Sequence, residues 1–284
     1  MRLRRSAILP LLPLALMATV PAAGQLIHDR VYPAPHDPLS VAGLPGATID
    51  HVTTADGLTL SGVEVAGRAD KPMLLIFHGN ASGADDAARW LSPLLNRGYG
   101  MIAAEYRGYS GNPGRPDEAG LSADADAFYA HALAIANGRP VIVIGHSLGS
   151  GVAFALARRQ RLRALVTIGA FTRLRDMTPR IARAFVGEKY DNRASIAELD
   201  EPLFLIHGTD DEVVPVAQGN QLYRAAIAAG RKGGVFVVQG GDHHPNATKL
   251  AGIIDAVVGG SEGRPLGALP EGVTFYPFSA PQPR

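Results

Sequence analysis

The stretch VIVIGHSLGSGVAFALA, residues 141–157, decides the fold, because it joins two apolar segments through a single serine. Residues 141–144 lack polar alternation, which is typical of a strand covered on both faces, and residues 152–159 continue as an alanine-rich helix. Between them, GHSLG at residues 145–149 matches the pattern G-x-S-x-G. A serine on such a tight strand-to-helix turn is held in a strained backbone conformation that lifts its hydroxyl above the sheet. The pattern therefore predicts an accessible hydroxyl at Ser147, with a helix N-cap as the alternative.

The rest of the chain alternates between short apolar runs and helical patterns. The apolar runs lie at residues 73–77, 100–104, 141–144, 164–168, 203–206 and 235–238, with helical patterns at 84–96, 121–136 and 218–229. Before them, residues 47–54 and 58–65 predict a hairpin. Buried strands that alternate with crossover helices indicate a parallel sheet. We therefore predict an α/β fold with a mostly parallel eight-stranded sheet flanked by helices.

The composition narrows the functional classes. Hydrophobic residues make up 46% of the 284 residues, enough for one large core, and we predict a single domain at residues 25–260. The 27 basic and 26 acidic residues are interspersed and leave a net charge of +1, so no basic stripe points to a nucleic-acid partner. The chain has no cysteine, which excludes disulfides, thiolate metal sites and cysteine nucleophiles. Residues 261–284 are rich in Pro and Gly and are predicted to be a C-terminal tail.

The first 24 residues have the pattern of an export signal. Three arginines precede an apolar segment at residues 7–20, and the small residues 22–24 offer a cleavage site. We therefore expect a signal peptide at residues 1–24 and an exported protein, periplasmic or secreted, that starts near Gln25. The alternative is an uncleaved segment that anchors the protein in a membrane, although this apolar run contains two prolines and is shorter than the ~20 residues of a spanning helix.

Three further motifs accompany the G-x-S-x-G pattern. FHGN at residues 77–80 and EYRGYSG at residues 105–111 each follow a predicted strand, and PDEAG at residues 116–120 leads into a helix. Together these motifs resemble the α/β-hydrolase superfamily over residues 53–258, in particular the branch of serine hydrolases similar to monoacylglycerol lipases, lysophospholipases and depalmitoylases. The resemblance implies that Ser147 is a nucleophile that attacks an acyl carbonyl.

The nucleophile needs an acid and a base. A serine hydroxyl is weak at neutral pH, so it requires a base within hydrogen-bond reach and an acid that orients the base. In this superfamily the acid follows the serine in the chain. HGTDDEVVP at residues 207–215 resembles the family segment HGxxDxxVP, which assigns the acid to Asp211. The adjacent Asp210 is the alternative, because it lies in the same tight turn.

The base is expected after one more strand, in GGDHHPN at residues 240–246. His243 is in register with the family ending GGxH and is the predicted base. His244 is the alternative; it precedes a proline, which favours an extended conformation and suits a residue at the rim of the site or a substrate contact. His78 and His207 each precede a glycine at a strand end and are expected to be structural.

Acyl transfer also needs two amide donors for the oxyanion. The first is the backbone amide of Leu148, which follows the nucleophile, and the resemblance assigns the second to the backbone amide of Asn80, with Ala81 as the alternative. His146 is expected to be a companion of the nucleophile rather than a base. No two histidines have the spacing of metal ligands on one element, so neither a metal nor a cofactor is expected.

The cover over the site is expected to be minimal. Only residues 169–202 separate the strands between which a lid normally enters, and residues 177–185 there could form a small amphipathic helix or an ordinary surface helix. An open pocket of this kind suits small to medium acyl groups. The candidate pocket residues are Tyr109, Phe171, Met177 and His244, although core packing is the commoner fate of such apolar side chains.

These observations predict a serine hydrolase of carboxylesterase or lipase-like type that cleaves a small-molecule acyl ester through a Ser-His-Asp triad and an acyl-enzyme intermediate. The alternatives are a thioesterase, an aminopeptidase-like hydrolase and a non-catalytic binding protein of the same fold. An aspartate nucleophile is disfavoured because the turn carries a serine. The sequence leaves contact with a lipid surface and the oligomeric state open.

Overall fold

Nine strands form one mixed sheet in the computed structural model, which describes residues 25, 28–178, 183, 187 and 189–279. In chain order the strands are β1 (Ala47–Thr53), β2 (Thr59–Val65), β3 (Met73–Phe77), β4 (Gly100–Ala104), β5 (Val141–His146), β6 (Ala164–Ile168), β7 (Leu203–Gly208), β8 (Gly233–Val238) and β9 (Val273–Pro277). Across the sheet they are ordered β1-β2-β4-β3-β5-β6-β7-β8-β9.

Six of these strands, β3 to β8, are parallel, so their carboxyl ends lie at one edge of the sheet. The predicted hairpin is present as β1 paired antiparallel with β2. Strand β2 also pairs antiparallel with β4, and β9 pairs antiparallel with β8. The prediction of an α/β fold with a mostly parallel sheet is therefore confirmed.

The predicted number of strands needs one correction, from eight to nine. The ninth strand, β9, lies within residues 261–284, the segment that we predicted to be a tail. Its sequence VTFYP contains β-branched and aromatic residues that favour strands, but five residues next to prolines and glycines carry too little alternation to be recognised. Packing on β8 supports it, since the rings of Phe275 and Phe236 lie 4.6 Å apart between centroids.

Helices cover both faces of the sheet. In chain order they are α1 (Ala84–Trp90), α2 (Ser92–Leu95), α3 (Glu118–Ala136), α4 (Leu148–Ala157), α5 (Asn192–Ile196), α6 (Val216–Ala228) and α7 (Ala247–Ser261), after a further helical turn at residues 28–31. One hydrophobic core lies between the sheet and α3, α4, α5 and α6, and the other lies between the sheet and α1, α2 and α7. Strands β3, β4, β5 and β6 are buried at every residue, which is why their sequences lack polar alternation.

Capping side chains fix where the helices next to the sheet edge begin. The side chain of Asp117 accepts a hydrogen bond from the N–H of Gly120 at 2.6 Å and begins α3. Asn246 begins α7 by accepting from the N–H groups of Thr248 and Lys249. The Asn246 cap lies two residues after His244, separated from it by Pro245, so it also fixes the end of the loop that carries the two predicted site histidines.

The region between β6 and β7 contains a 3-10 turn at Leu174–Met177 and helix α5. The predicted amphipathic helix at residues 177–185 lies largely outside the described residues, and the predicted signal peptide at residues 1–24 lies outside them entirely. Among the described helices, none combines the length and the apolar composition that a membrane span requires.

Candidate active site

Ser147 lies in a sharp turn between β5 and α4 and is 8% exposed. Its backbone has φ 51° and ψ −116°, a region that residues other than glycine rarely adopt. The turn is held by a hydrogen bond from the Ser147 N–H to the carbonyl of Ile168 at 3.0 Å. Ser147 occupies the N-cap position of α4, but its side chain makes no helix-capping hydrogen bond, so the hydroxyl is not used as a cap.

The two glycines that flank the serine are required by close backbone contacts. A Cβ at Gly149 would lie 2.0 Å from the carbonyl oxygen of Phe77, and a Cβ at Gly145 would lie 2.4 Å from the carbonyl oxygen of Gly149. No side chain fits at these distances. The turn is therefore packed backbone against backbone between β3 and α4, which explains both glycines of the motif.

His243 and Asp211 meet at the same edge of the sheet. Nδ1 of His243 lies 2.9 Å from Oδ2 of Asp211, and Oδ1 of Asp211 accepts from the N–H groups of Val213 and Val214 at 3.0 and 2.7 Å. Because the carboxylate accepts, Nδ1 of His243 donates and Nε2 is left to accept a proton. Asp210, the alternative acid, is exposed and accepts instead from the hydroxyl of the residue before it.

Ser147 and His243 are brought together through His146. Nε2 of His146 donates to the backbone carbonyl of His243 at 2.9 Å, and the two imidazole rings lie 4.8 Å apart between centroids. The described residues show no hydrogen bond between the Ser147 hydroxyl and the His243 ring. A hydroxyl, an imidazole and a carboxylate thus share one edge of the sheet, with the His-Asp hydrogen bond formed and the Ser-His hydrogen bond not formed.

Two further buried histidines support these loops. Burial lowers the pKa of His146 well below its usual value, and the neighbouring His243 lowers it further. Burial also lowers the pKa of His207, whose Nε2 donates to the carbonyl of Val214 at 2.8 Å. Both imidazoles are therefore neutral at pH 7. They act as hydrogen-bond donors that fix the loop of His243 and the loop of Asp211.

A second buried pair, His78 and Glu105, lies under the turn that follows β3. Nε2 of His78 lies 2.8 Å from Oε1 of Glu105. The Glu105 carboxylate also accepts hydrogen bonds from the N–H groups of Tyr106 and Ala84 and from the hydroxyl of Ser110. The Glu105 carboxyl group thus joins the turn that follows β3 to the loop that follows β4.

The imidazole of His78 also fixes the turn itself. Its Nδ1 donates to the carbonyl oxygen of Gly79 at 2.8 Å. The bond to Gly79 also orients the peptide plane between Gly79 and Asn80. Because the C=O and N–H of a trans peptide point in opposite directions, the Asn80 N–H is held facing away from the His78 ring.

The backbone amides of Asn80 and Leu148 have no hydrogen-bond acceptor among the described residues. A Cβ at Gly79 would lie 3.3 Å from the Cβ of Ser147, so the turn that carries Asn80 packs directly against the serine. Leu148 is the first residue of α4, where the helix macrodipole favours negative charge. Two unpaired amides next to a hydroxyl can stabilise an oxyanion that forms there.

The four candidate pocket residues lie in different environments. Tyr109 is fully buried against the rings of His78 and Tyr106, and its hydroxyl has no hydrogen-bond partner among the described residues. Phe171 is also buried in the core, and Met177 is half-buried at the end of the 3-10 turn. His244 is exposed and lies beside the site. Of these four residues, His244 lines the cavity described next, whereas Tyr109, Phe171 and Met177 do not.

A cavity of about 380 Å³ opens beside the turn that follows β3, and we call it the Trp90 cavity. Its lining is formed by Ile76, His78, Asn80, Ala81, Ser82, Asp86, Ala87, Trp90, Leu91, Ile144, His146, Ile168 and His244. Partial desolvation of the exposed His244 ring, and then the neighbouring His243, lower the pKa of His244. A larger cavity of about 630 Å³ lies by Gly98 and Tyr99, just before β4 begins, and contains none of the predicted site residues. It is at the opposite end of the strands from Ser147.

Outside the site, the described residues contain one group that could hold a metal ion, although the sequence analysis expected none. Nε2 of His131 lies 2.6 Å from Oδ2 of Asp50 and 3.1 Å from Oε2 of Glu64. A histidine between two carboxylates is also stabilised by these contacts without a metal. The three residues come from α3, β1 and β2, so their spacing in the sequence gave no sign of the group.

Sequence analysis missed three residues that shape the site. Gly169 follows β6 and lies against the His243–Asp211 pair. The sequence shows Glu105 only as the first residue of the EYRGYSG motif, and it does not distinguish Trp90 from a core residue. Gly169 could have been found as a glycine directly after a parallel strand, and Glu105 as a single acidic residue at a strand end.

Comparisons with known proteins identify the family to which this fold belongs. A family model described as alpha/beta hydrolase fold matches residues 72–198. The uncharacterized protein Rv2307c of Mycobacterium tuberculosis is 31% identical over 231 residues, which cover 78% of this chain and 81% of that protein. The chain belongs to the α/β-hydrolase family.

A lipase resembles this chain in sequence, and two solved structures resemble it in fold. The lysophosphatidylserine lipase ABHD12 of Xenopus tropicalis is 31% identical over 200 residues, which cover 62% of this chain. The match spans about half of that lipase, 52% of its length. The esterase Pf2001 of Pyrococcus furiosus has the same fold, with a TM-score of 0.64 and 20% identity over 83% of this chain and 100% of its own. An alpha-beta hydrolase from Vibrio vulnificus gives a TM-score of 0.66 at 19% identity, over 83% of this chain and 92% of its own.

Proposed function

We propose that the protein is a serine hydrolase that cleaves carboxylic esters with small to medium acyl groups. The observation that carries this proposal is the hydrogen bond between Nδ1 of His243 and Oδ2 of Asp211 at the sheet edge where Ser147 occupies a strained turn. The lysophosphatidylserine lipase that is similar in sequence and the esterase that is similar in fold support the same reaction class.

The reaction begins when the Ser147 oxygen attacks the ester carbonyl while Nε2 of His243 takes the hydroxyl proton. Asp211 holds the imidazole by Nδ1 and stabilises the imidazolium that forms. The carbonyl oxygen becomes an oxyanion that accepts from the backbone amides of Asn80 and Leu148. Its collapse breaks the ester bond, and the leaving alcohol takes the proton from His243.

The acyl-enzyme is released by water. His243 removes a proton from the water as it attacks the acyl carbonyl, and the same two amides stabilise the second oxyanion. Collapse expels the Ser147 oxygen, which takes the proton back from His243. The carboxylic acid then leaves, and no atom of the protein is consumed.

A fluorophosphonate probe tests the nucleophile. We expect the wild-type chain to be labelled and Ser147→Ala to remain unlabelled, while Ser150→Ala, a buried serine one helical turn further on, keeps its label. Absence of labelling in the wild type would favour a non-catalytic protein of the same fold. A series of p-nitrophenyl esters with increasing acyl length then defines the acyl preference.

The choice of base is tested with the two adjacent histidines. His243→Ala removes the imidazole that contacts Asp211, so we expect turnover to disappear. His244→Ala leaves that contact in place and is expected still to turn over substrate. The opposite result would assign the base to His244.

We also propose that the protein is exported to the periplasm or secreted, as its N-terminal sequence indicates. Expression of the full chain in a bacterial host, followed by fractionation and N-terminal sequencing, tests this proposal. We expect a mature N-terminus near Gln25. An intact N-terminus in the membrane fraction would instead indicate an anchor.

A further inference from the structure

A cluster of four ring side chains connects the Trp90 cavity to the proposed base. The Trp90 ring lies 4.9 Å from that of His146 and 5.3 Å from that of His244, measured between centroids. These two imidazoles contact the His243 ring at 4.8 and 5.4 Å. The Trp90 indole is also fixed in place, because its N–H donates to the carbonyl of Pro245 at 3.2 Å. The cavity wall is thus one ring away from the imidazole that carries the proton.

The position of the Trp90 cavity beside His243 favours binding of the alcohol part of an ester over binding of its acyl part. The base returns its proton to the oxygen of the leaving alcohol, so that oxygen must come within hydrogen-bond reach of His243. Groups attached to the oxygen then extend past the neighbours of His243, and two of these, His146 and His244, line the cavity. The alcohol part of the substrate is therefore the part that the cavity can receive.

The lining sets the chemistry of that alcohol. Most of its side chains are apolar, including three isoleucines at strand ends and Trp90. The lining has no lysine or arginine that could pair with an anionic alcohol, and its exposed carboxylate, Asp86, lies 3.8 Å from the guanidinium of Arg89. A cavity of about 150 Å³ already holds benzene, so the volume of about 380 Å³ accommodates one aromatic ring with room to spare.

We propose that the Trp90 cavity binds the alcohol part of the ester, and that it selects uncharged apolar or aromatic alcohols over anionic ones. This proposal rests on the proposed function, because an alcohol part exists only if the substrate is an ester. Binding of an alcohol at the cavity can nevertheless be measured without any turnover.

Trp90 is the single tryptophan of the chain, so intrinsic fluorescence reports on this cavity alone. The probe is benzyl alcohol, added to the full chain with excitation where tyrosine does not absorb. We expect a saturable change in Trp90 emission, and a severalfold weaker Kd for 4-(hydroxymethyl)benzoate, its anionic counterpart. An emission that stays constant or changes only linearly with concentration would overturn the proposal.

A filled cavity provides the matched variant. Ala87→Leu adds three carbons to the lining, and we expect it to weaken benzyl alcohol binding about tenfold. Ala127→Leu makes the same change in α3 on the opposite face of the sheet and should leave the Kd unchanged. Should Ala87→Leu fail to fold, Asp86→Asn tests the same site from its exposed rim. In Asp86→Asn the Kd of 4-(hydroxymethyl)benzoate should move closer to the Kd of benzyl alcohol. Asp126→Asn in α3 should leave the ratio of these two Kd values unchanged.

Kinetics distinguish the alcohol part from the acyl part. We expect Ala87→Leu to raise the ratio of the KM for benzyl butyrate to the KM for methyl butyrate about tenfold, because these esters differ in the alcohol. The ratio of the KM for methyl octanoate to the KM for methyl butyrate, which differ in the acyl chain, should remain that of the wild type. A change confined to the acyl pair would assign the cavity to the acyl chain and overturn the proposal. If the wild-type chain binds benzyl alcohol as expected but is not labelled by the fluorophosphonate probe, only the proposed hydrolysis is overturned.

Discussion

Gly169 packs directly against the imidazole of His243: a Cβ added at Gly169 would lie 3.0 Å from both Cε1 and Nδ1 of that ring. The same Cβ would lie 3.2 Å from Oδ2 of Asp211. The glycine also has φ +58°, a conformation that favours glycine by about 1–2 kcal/mol. Two separate demands, backbone conformation and space for the His243–Asp211 pair, therefore meet at this position.

Gly169→Ala is expected to lower kcat/KM roughly 100-fold, because displacement of a catalytic group by a fraction of an ångström misaligns the proton transfer. Gly230→Ala is the matched control, since Gly230 has φ +64° but nothing within 4 Å of an added Cβ. Both variants should lose about 1–2 kcal/mol of unfolding free energy, and only Gly169→Ala should lose activity. Steady-state kinetics with urea unfolding checks both. Equal activities in the two variants would argue against a role for the His243–Asp211 pair.

Asp211→Asn is expected to lower kcat roughly 10⁴-fold. The Asn oxygen can still accept from the N–H groups of Val213 and Val214, so the loop is preserved, but an amide NH₂ would then face Nδ1 of His243 and favour the wrong tautomer. Asp210→Asn changes an exposed neighbour and should stay within about twofold of wild type. Ester turnover by the two purified variants makes the comparison, and a larger loss in Asp210→Asn would mean that the acid was assigned to the wrong residue.

Glu105→Gln is expected to lower the unfolding free energy by about 3–5 kcal/mol, because it breaks the buried pair with His78 and removes an acceptor oxygen from the N–H and O–H groups around it. The exposed pair of Glu198 with Arg158 offers the control: Glu198→Gln should cost less than about 1 kcal/mol. Urea denaturation followed by circular dichroism measures both. A loss of about 1 kcal/mol or less in Glu105→Gln would show that this buried pair does not stabilise the fold.

The unfolding free energy is expected to fall as the pH drops below about 6.5. Burial lowers the pKa of His146 and of His207 in the folded state, so the unfolded chain binds more protons in this range. The stability is therefore complete above the unfolded pKa and decreases toward acid, by up to about 1.4 kcal/mol per pH unit for each buried histidine. Urea unfolding between about pH 8 and pH 5 tests this. His207→Gln should flatten the slope, and the exposed His51→Gln should not.

The sequence by itself determined the order of the elements and the fold class. Strands buried on both faces are apolar without polar alternation, so β3 to β8 could be recognised from their uninterrupted runs of apolar residues. The G-x-S-x-G turn was equally readable, because close backbone contacts at Gly145 and Gly149 exclude every other residue. Motif register also selected Asp211 and His243, whose side chains the fold brings to 2.9 Å.

Only the tertiary structure decided what surrounds those residues. Strand β9 depends on packing against β8, since its five residues carry too weak a pattern to be recognised alone. The Trp90 cavity, the contact of Gly169 with His243 and the group of His131 with two carboxylates join residues from distant parts of the chain. The physical reason is that local patterns encode burial and backbone conformation, whereas which side chains meet across a sheet edge depends on the strand order and on packing that no short stretch contains.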